Sequence, residues 1–382
     1  MTARNFIEGS IKLKTALHCA TPDDYHVNAN GYVVQGKAPS GSGGVTATMQ
    51  MPIIVGETRH TIPYFPANDV RGRLRRKAAK ILLDAITVNG KVPIDLYAGL
   101  NAGAVSASPE GSEITVEEVL RAKRNVYMGI FGGGTRMIRS SYRAQDIVPI
   151  IGSTVAAGMV PEHIANPTGA KSIVPTFRAK TNEGGEEGIG RSAITDSYQI
   201  THVYRMIRLD DVTRVLRADE LDAYLANAVK EVSEYQQKVL EGRKANKEAK
   251  AAGEEGQKKD LGNMMAIQAI VPGTSMYLRL DFADDLTQAQ IGLLIKALCD
   301  LVNEQALGGW VRAGCGKYDA SNLMLSVDGV ATRLFVVQDN GTYDIAESAK
   351  PYVEQMRKEM AALTAEEMME FFSSKKPEEK AA

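Results

Sequence analysis

Phe65-Pro66-Ala67-Asn68-Asp69-Val70-Arg71-Gly72-Arg73-Leu74-Arg75-Arg76-Lys77-Ala78-Ala79-Lys80-Ile81-Leu82-Leu83 is the stretch around which the rest of the chain can be laid out. Val70, Leu74, Ala78, Ile81 and Ala85 recur at i, i+4, i+8, i+11 and i+15, the buried stripe of an amphipathic helix, and Asn68 stands where its N-cap is expected. Arg73, Arg76, Lys77 and Lys80 lie along one flank of the stripe and Arg71 and Arg75 along the other, with only Asp69 to offset them early on. Like charges this close repel, so a bound anion is a natural compensation, and a solvated face is the simpler alternative. Gly72, costly inside a helix, leaves the first turn open to a partner's backbone.

Working outward, a net charge of −1 over 382 residues excludes a uniformly basic chain, so any nucleic-acid surface has to come from clustering. Basic residues do cluster, over 71–80 and again over 121–143, while many acids follow Asp344. At 44% hydrophobic residues the chain can bury a sizeable core, in two domains or in one with large insertions. Cys19, Cys299 and Cys315 lack C-x-x-C spacing, which argues against a disulfide framework or a zinc site. The first residues carry no signal-peptide pattern and no run reaches 18 apolar residues, so the expected location is the cytoplasm, with no membrane partner.

Upstream of the basic helix, Phe6 to Leu17 alternates closely enough for a first strand, and 18–65 reads as an inserted loop with a hairpin between Val45 and Thr61. Downstream, 87–146 is irregular and part-helical, with a capped helix from Thr115 to Arg124 and then Phe131-Gly132-Gly133-Gly134-Thr135-Arg136. Residues 147–197, with the glycine- and glutamate-rich run 182–190, read as a protruding insertion, and Tyr198 to Leu209 as a second core strand. A helix after Leu216 frays into the Lys- and Ala-rich run 244–259 within a second insertion, 210–270. Ser275 to Phe282 is a strand; Thr287 and Gln290 make a capping box for a helix that ends at Gly308-Gly309; Leu323–Val327 and Ala331–Val337 are strands. A helix from about Pro351 to Phe372 and an acidic tail close the chain over 341–382. With insertions removed, the order is strand, helix, strand, strand, helix, strand. That predicts an α+β chain with a ferredoxin-like βαββαβ core from residues 1–17, 66–86, 198–209 and 271–340.

Three motifs then fall into a familiar order. Pro66-Ala67-Asn68-Asp69-Val70-Arg71-Gly72-Arg73-Leu74-Arg75 resembles the segment that opens the first helix of RAMP proteins in CRISPR effector complexes. Val271-Pro272-Gly273-Thr274-Ser275 is similar to the segment before their third core strand, and Leu307-Gly308-Gly309-Trp310-Val311-Arg312-Ala313-Gly314-Cys315-Gly316-Lys317 to their glycine-rich loop after the second helix. Ala-Asn-Asp in the first motif, and Phe131-Gly132-Gly133-Gly134, make the resemblance strongest to the type IV backbone branch. The resemblance implies a ferredoxin-like palm, a helical finger region over 87–146, and a thumb from one of the two later insertions. It also implies copies polymerising along a guide RNA, a target nucleic acid expected to be DNA, subunits capping the filament ends, and an accessory helicase.

Sequence-independent guide binding needs phosphate contacts, for which the residue types are right in Arg71, Arg73, Arg75, Arg76, Lys77 and Lys80. Gly132, Gly133 and Gly134, with Arg136, Arg139 and Arg143, are expected to cradle a phosphate on converging N–H groups or else to form a tight junction. Trp310, Arg312 and Lys317 pose the same choice, with Trp310 able to stack on a base or anchor the core. Asp23 and Asp24 fall where type III backbones carry a metal-dependent RNase aspartate, and an ordinary Pro22-Asp23-Asp24 turn is the alternative. No cofactor or resident metal is implied, and the expectation is a binding protein rather than an enzyme. Two competitors remain: a guide-processing endoribonuclease, for which only His18 and His26 stand near each other, and a stand-alone single-strand RNA binder, which lacks its aromatic motif.

Overall fold

A computed structural model describes residues 5–28, 33–37, 44–87, 90–103, 115–169, 172–175, 177–180, 186–190, 197–207, 227, 229–238, 241 and 264–372. The expected frayed run 244–259 and the tail beyond 372 lie outside them, as does most of the insertion 210–270. The chain is mixed α+β and divides into two compact units, one from residues 1–21, 48–202 and 269–382 and one from 22–47 and 203–268.

The larger unit is built on seven strands: β1 (Asn5–Leu13), β2 (Tyr142–Ala144), β3 (Val148–Pro149), β4 (Ser275–Phe282), β5 (Tyr318–Asp319), β6 (Met324–Val327) and β7 (Val330–Arg333). They run in the order β7-β6-β1-β4-β2, with β5 pairing on β1 and β3 on β4, and these pairs are antiparallel. The alternation of β1 sets the two faces. Ile7, Ile11 and Leu13 are at most 1% exposed, and the register puts Ile7 opposite Leu280 and Ile11 opposite Met276.

The helices of this unit are α1 (Ala67–Ile86), α2 (Ile94–Ala102), α3 (Val116–Arg124), α4 (Met128–Phe131), α5 (Gln288–Glu304), α6 (Lys350–Met360) and α7 (Ala365–Met369), besides short turns of helix at 152–156, 162–165 and 197–200. Val70, Leu74, Ala78 and Leu82 of α1 share one core with Ile291, Leu294, Leu298 and Leu301 of α5 and the buried residues of β1. Each such leucine or isoleucine contributes about 1.5–3 kcal/mol by leaving water, so the apolar stripe decides that α1 forms. A second cluster joins the hairpin 50–55/58–63 to Val148, Ile150 and Val160, and meets Tyr277.

Several expectations hold in detail. Thr287 and Gln290 exchange both bonds of the capping box, and so do Thr115 and Glu118. Others are corrected. The strand beside β4 is β2 with β3, whereas Thr201–Ile207 belongs to the sheet of the smaller unit, with Met264–Ile270, Gly44–Thr46, Tyr25–Val27 and Val33–Gln35. Residue preference marks 198–209 as a strand but says nothing of its partner, and β2 is too short to announce itself by alternation. The order strand, helix, strand, strand, helix, strand survives the exchange.

Helix α1 is not capped by Asn68. It begins at Ala67, whose N–H donates to Asp146 Oδ1 at 2.7 Å, so the cap comes from across the fold. The expected final helix is two, because Thr364 caps a second one with Glu367, and α5 ends on Gln305 in the left-handed conformation before the glycine pair is reached. Ala331–Val337 also divides, since Phe335–Val337 leaves β7 to pair with Tyr343–Ile345.

Helices α5 and α6 approach closely at Gly292, where an added Cβ would collide with the Tyr352 carbonyl. Gly292→Val is therefore expected to force the helices apart and lower stability by about 1–3 kcal/mol, read as a lower thermal midpoint. An unchanged midpoint would mean that this helix pair is free to slide.

Candidate nucleic-acid interface

Phe65 and Ile147 exchange backbone hydrogen bonds at 2.9 Å in both directions, and Asp146 holds the first amide of α1. These bonds pin the start of α1 to the link between β2 and β3, and the Arg71/Arg75 flank lines a groove with the segment that enters β2. Between them runs a groove of about 1020 Å³ lined by Asn68, Arg71, Arg75, Met137, Arg139 and Arg143, with Phe131 and Tyr142 also in its wall. Its acids are Asp281 and Asp284.

The cations outweigh those acids in availability as well as number. Arg139 and Arg143 are exposed and have no hydrogen-bond or ion-pair partner among the described residues; Arg71, also exposed, reaches Ser140 Oγ only at 3.5 Å. Asp281 is held by Arg279 at 2.8 Å and by Gln145 at 2.9 Å. Burial pushes the Tyr142 hydroxyl pKa up, while the positive charges of Arg71 and Arg75 pull it back. An anion entering the groove meets that same field.

Of the two alternatives for the glycine run, a phosphate cradle or a tight junction, the hydrogen bonds match the junction. The N–H groups of Gly132, Gly133 and Gly134 donate to the carbonyls of Met128, Ile138 and Gly103, and Thr135 N–H donates to Phe371 O. No amide there is left for a phosphate. All three glycines have positive φ, and an added Cβ would collide with the carbonyls of Ile138, Gly103 and Phe371 respectively, so the run is a packing junction. Arg136 leaves the anion set too, at 3.4 Å from Glu118, whose pKa is lowered first by the Thr115 amide and further by Arg136.

The rest of the basic helix divides by role. Arg73 donates to Ala306 O at 2.6 Å and Gly308 O at 3.0 Å, and Arg75 donates to Phe131 O at 2.5 Å and Gly132 O at 3.1 Å. Lys77 pairs with Glu304 at 3.1 Å and Lys80 with Asp84 at 2.9 Å. Arg76 is exposed and outside the groove lining.

The second glycine-rich loop is likewise bound down. Gly309 and Gly316 N–H donate to His18 O and Ala16 O, and Lys317 N–H donates to Thr15 Oγ1. Trp310 is half-buried with φ 59°, whereas Arg312 and Lys317 are exposed. Asp23 and Asp24 are exposed just before Tyr25–Val27, and among the described residues no group of three His, Cys, Asp or Glu could hold a metal. All three cysteines are buried and free; burial first, and then Asp69 at 3.5 Å, pushes the Cys19 thiol up to about 12.

The residue that sequence reasoning passed over is Met137, 68% exposed in the groove wall. Its only signal was an apolar side chain between Arg136 and Arg139. Among the described residues no helix is long and apolar enough to cross a membrane.

No family model matches the chain, and no curated protein matches it. Among solved structures, a chain of one titled "Type IV-B CRISPR Complex" is similar at a TM-score of 0.42 and 12% identity, over 86% of this chain and 93% of that one.

Proposed function

We propose that this chain is the guide-RNA-binding backbone subunit of a class 1 CRISPR ribonucleoprotein of the type IV kind. The observation that carries the reading is the convergence of Arg71 from α1 with Arg139 and Arg143 from the entry to β2 on one open groove. Arg139 and Arg143 have no partner among the described residues and Arg71 has only polar, uncharged ones; such guanidinium groups are suited to phosphates, and phosphate contacts carry no base information, which a scaffold for changing guides requires. The three sequence motifs supply the family, and the order β6-β1-β4-β2 with antiparallel neighbours and α1 and α5 in one core supports a ferredoxin-like palm.

In this reading copies of the chain line up along the guide, hold it for pairing with target DNA, and leave unwinding and cutting to other subunits.

The test is single-stranded RNA binding across a salt series. Arg71→Ala/Arg139→Ala/Arg143→Ala is expected to weaken binding and to flatten the slope of log K against log salt by about 2, since each phosphate contact on a single strand adds about 0.7. Arg357→Ala, on α6, keeps the wild-type slope. A wild-type chain that binds no RNA, or a triple variant with the full slope, would sink the reading.

A further inference from the structure

A groove suited to anions carries an acid, Asp281, in its wall, and the strand register sets that acid against one of the groove's cations. β2 and β4 pair with Arg143 directly opposite Asp281, so the two side chains leave the same face of the sheet within reach of each other. Opposite charges so placed attract, yet Arg143 is exposed and has no partner among the described residues. Both oxygens of Asp281 are taken elsewhere. Oδ1 accepts from Arg279 Nε and Nη2, both at 2.8 Å, and Oδ2 accepts from Gln145 Nε2 at 2.9 Å. Arg279 is the better partner because it is already fixed. Its Nη1 donates to the buried Glu8 carboxylate at 2.8 Å and its guanidinium lies over the Phe6 ring, so it has little side-chain freedom left to lose.

Gln145 completes the arrangement. It follows β2 directly, its N–H donates to Arg279 O at 3.0 Å, and, standing two residues after Arg143, it carries its side chain on the same face. Without it, Oδ2 of Asp281 is the atom left open to Arg143. An amide donor holds that oxygen and adds no charge of its own to the wall. We infer that Gln145 is a positioning residue of the groove: it keeps Asp281 on Arg279 and so leaves the Arg143 guanidinium for a phosphate of the bound strand. The inference rests on the RNA-binding reading above, but concerns a residue that acts through Arg143 rather than on the RNA.

The experiment follows binding of the full chain to a single-stranded RNA of mixed sequence across a salt series. Gln145→Leu is expected to weaken binding about threefold and to lower the slope of log K against log salt by about 0.7, the share of one phosphate contact, with the thermal midpoint nearly unchanged. Gln145→Leu/Asp281→Asn is expected to recover both affinity and slope, because the asparagine amide offers Arg143 no charge. In the Arg143→Ala background, Gln145→Leu is expected to have no further effect. A Gln145→Leu chain with the wild-type affinity and slope, an equal loss in the Arg143→Ala background, or a slope that Asp281→Asn does not restore would each overturn the inference while leaving the phosphate groove standing. A wild type that binds no RNA would overturn the groove itself, and the inference with it.

Discussion

Arg279→Met is expected to destabilise the larger unit by about 3–5 kcal/mol, the cost of stripping the partner from a buried charge. Glu8 is 6% exposed on the face of β1 opposite Ile7 and Ile11, and its carboxylate accepts from Arg279 Nη1 at 2.8 Å and Tyr277 OH at 2.9 Å. His163 Nε2 lies 3.1 Å from its other oxygen. Burial, with the Glu8 charge adding to it against Arg279, raises the Tyr277 pKa, so the hydroxyl stays protonated and able to donate. Arg279 also binds Asp281 at 2.8 Å and lies over the Phe6 ring at 4.1 Å. Methionine keeps much of that apolar contact and removes the charge, leaving Glu8 with Tyr277 and a histidine whose side chain is 66% exposed.

The midpoint of chemical unfolding, compared with that of the Glu8→Gln/Arg279→Met double variant, checks this. The double variant is expected to recover most of the loss, because removing both partners costs less than orphaning one. A single variant with the wild-type midpoint would mean that the carboxylate escapes to water.

The fold was legible wherever a local pattern carries its own cause. The stripes of α1 and α5, the capped start of a helix at Thr115 and the capping box at Thr287 need only a few neighbouring residues, and all appear as expected. What stayed hidden depends on partners far along the chain. Asp146 caps α1 from 79 residues away, and nothing in either local sequence couples them. β2 is three residues long and takes its place in the sheet by pairing with β4, while the stronger strand signal at 198–209 serves another sheet.

For the candidate site, charge type was legible and charge use was not. Helical spacing located the cations on two flanks, yet whether an arginine meets solvent or a carbonyl depends on which loop lies opposite. The glycine run 132–134 shows the same limit, since glycine permits both an anion cradle and a tight junction, and only the positions of Gly103, Ile138 and Phe371 decide.

That distinction yields the second large effect. Arg75→Met is expected to lower stability by about 2–4 kcal/mol, because two charge-assisted donors are withdrawn from the Phe131 and Gly132 carbonyls at the junction that shapes the groove. Arg73→Met is expected to cost a similar amount, by freeing the carbonyls of Ala306 and Gly308 just beyond α5. Lysine should rescue neither position well, since a single ammonium cannot span two carbonyls as the planar guanidinium does. Arg76→Met, on the same helix but exposed and without a partner among the described residues, should leave the unfolding midpoint within about 0.5 kcal/mol of wild type.

RNA affinity alone would not separate these cases, because a collapsed junction also disturbs Arg139. The unfolding midpoint does separate them: it should fall for Arg73→Met and Arg75→Met and hold for Arg143→Ala. If Arg73→Met and Arg75→Met instead kept the wild-type midpoint while losing RNA, their guanidinium groups would belong to the nucleic acid, and the basic helix would be a binding face along both flanks. If the midpoints fall, a helix crowded with six cations uses two of them to hold its own scaffold, and the positive charge offered to a phosphate comes from the flank that lines the groove.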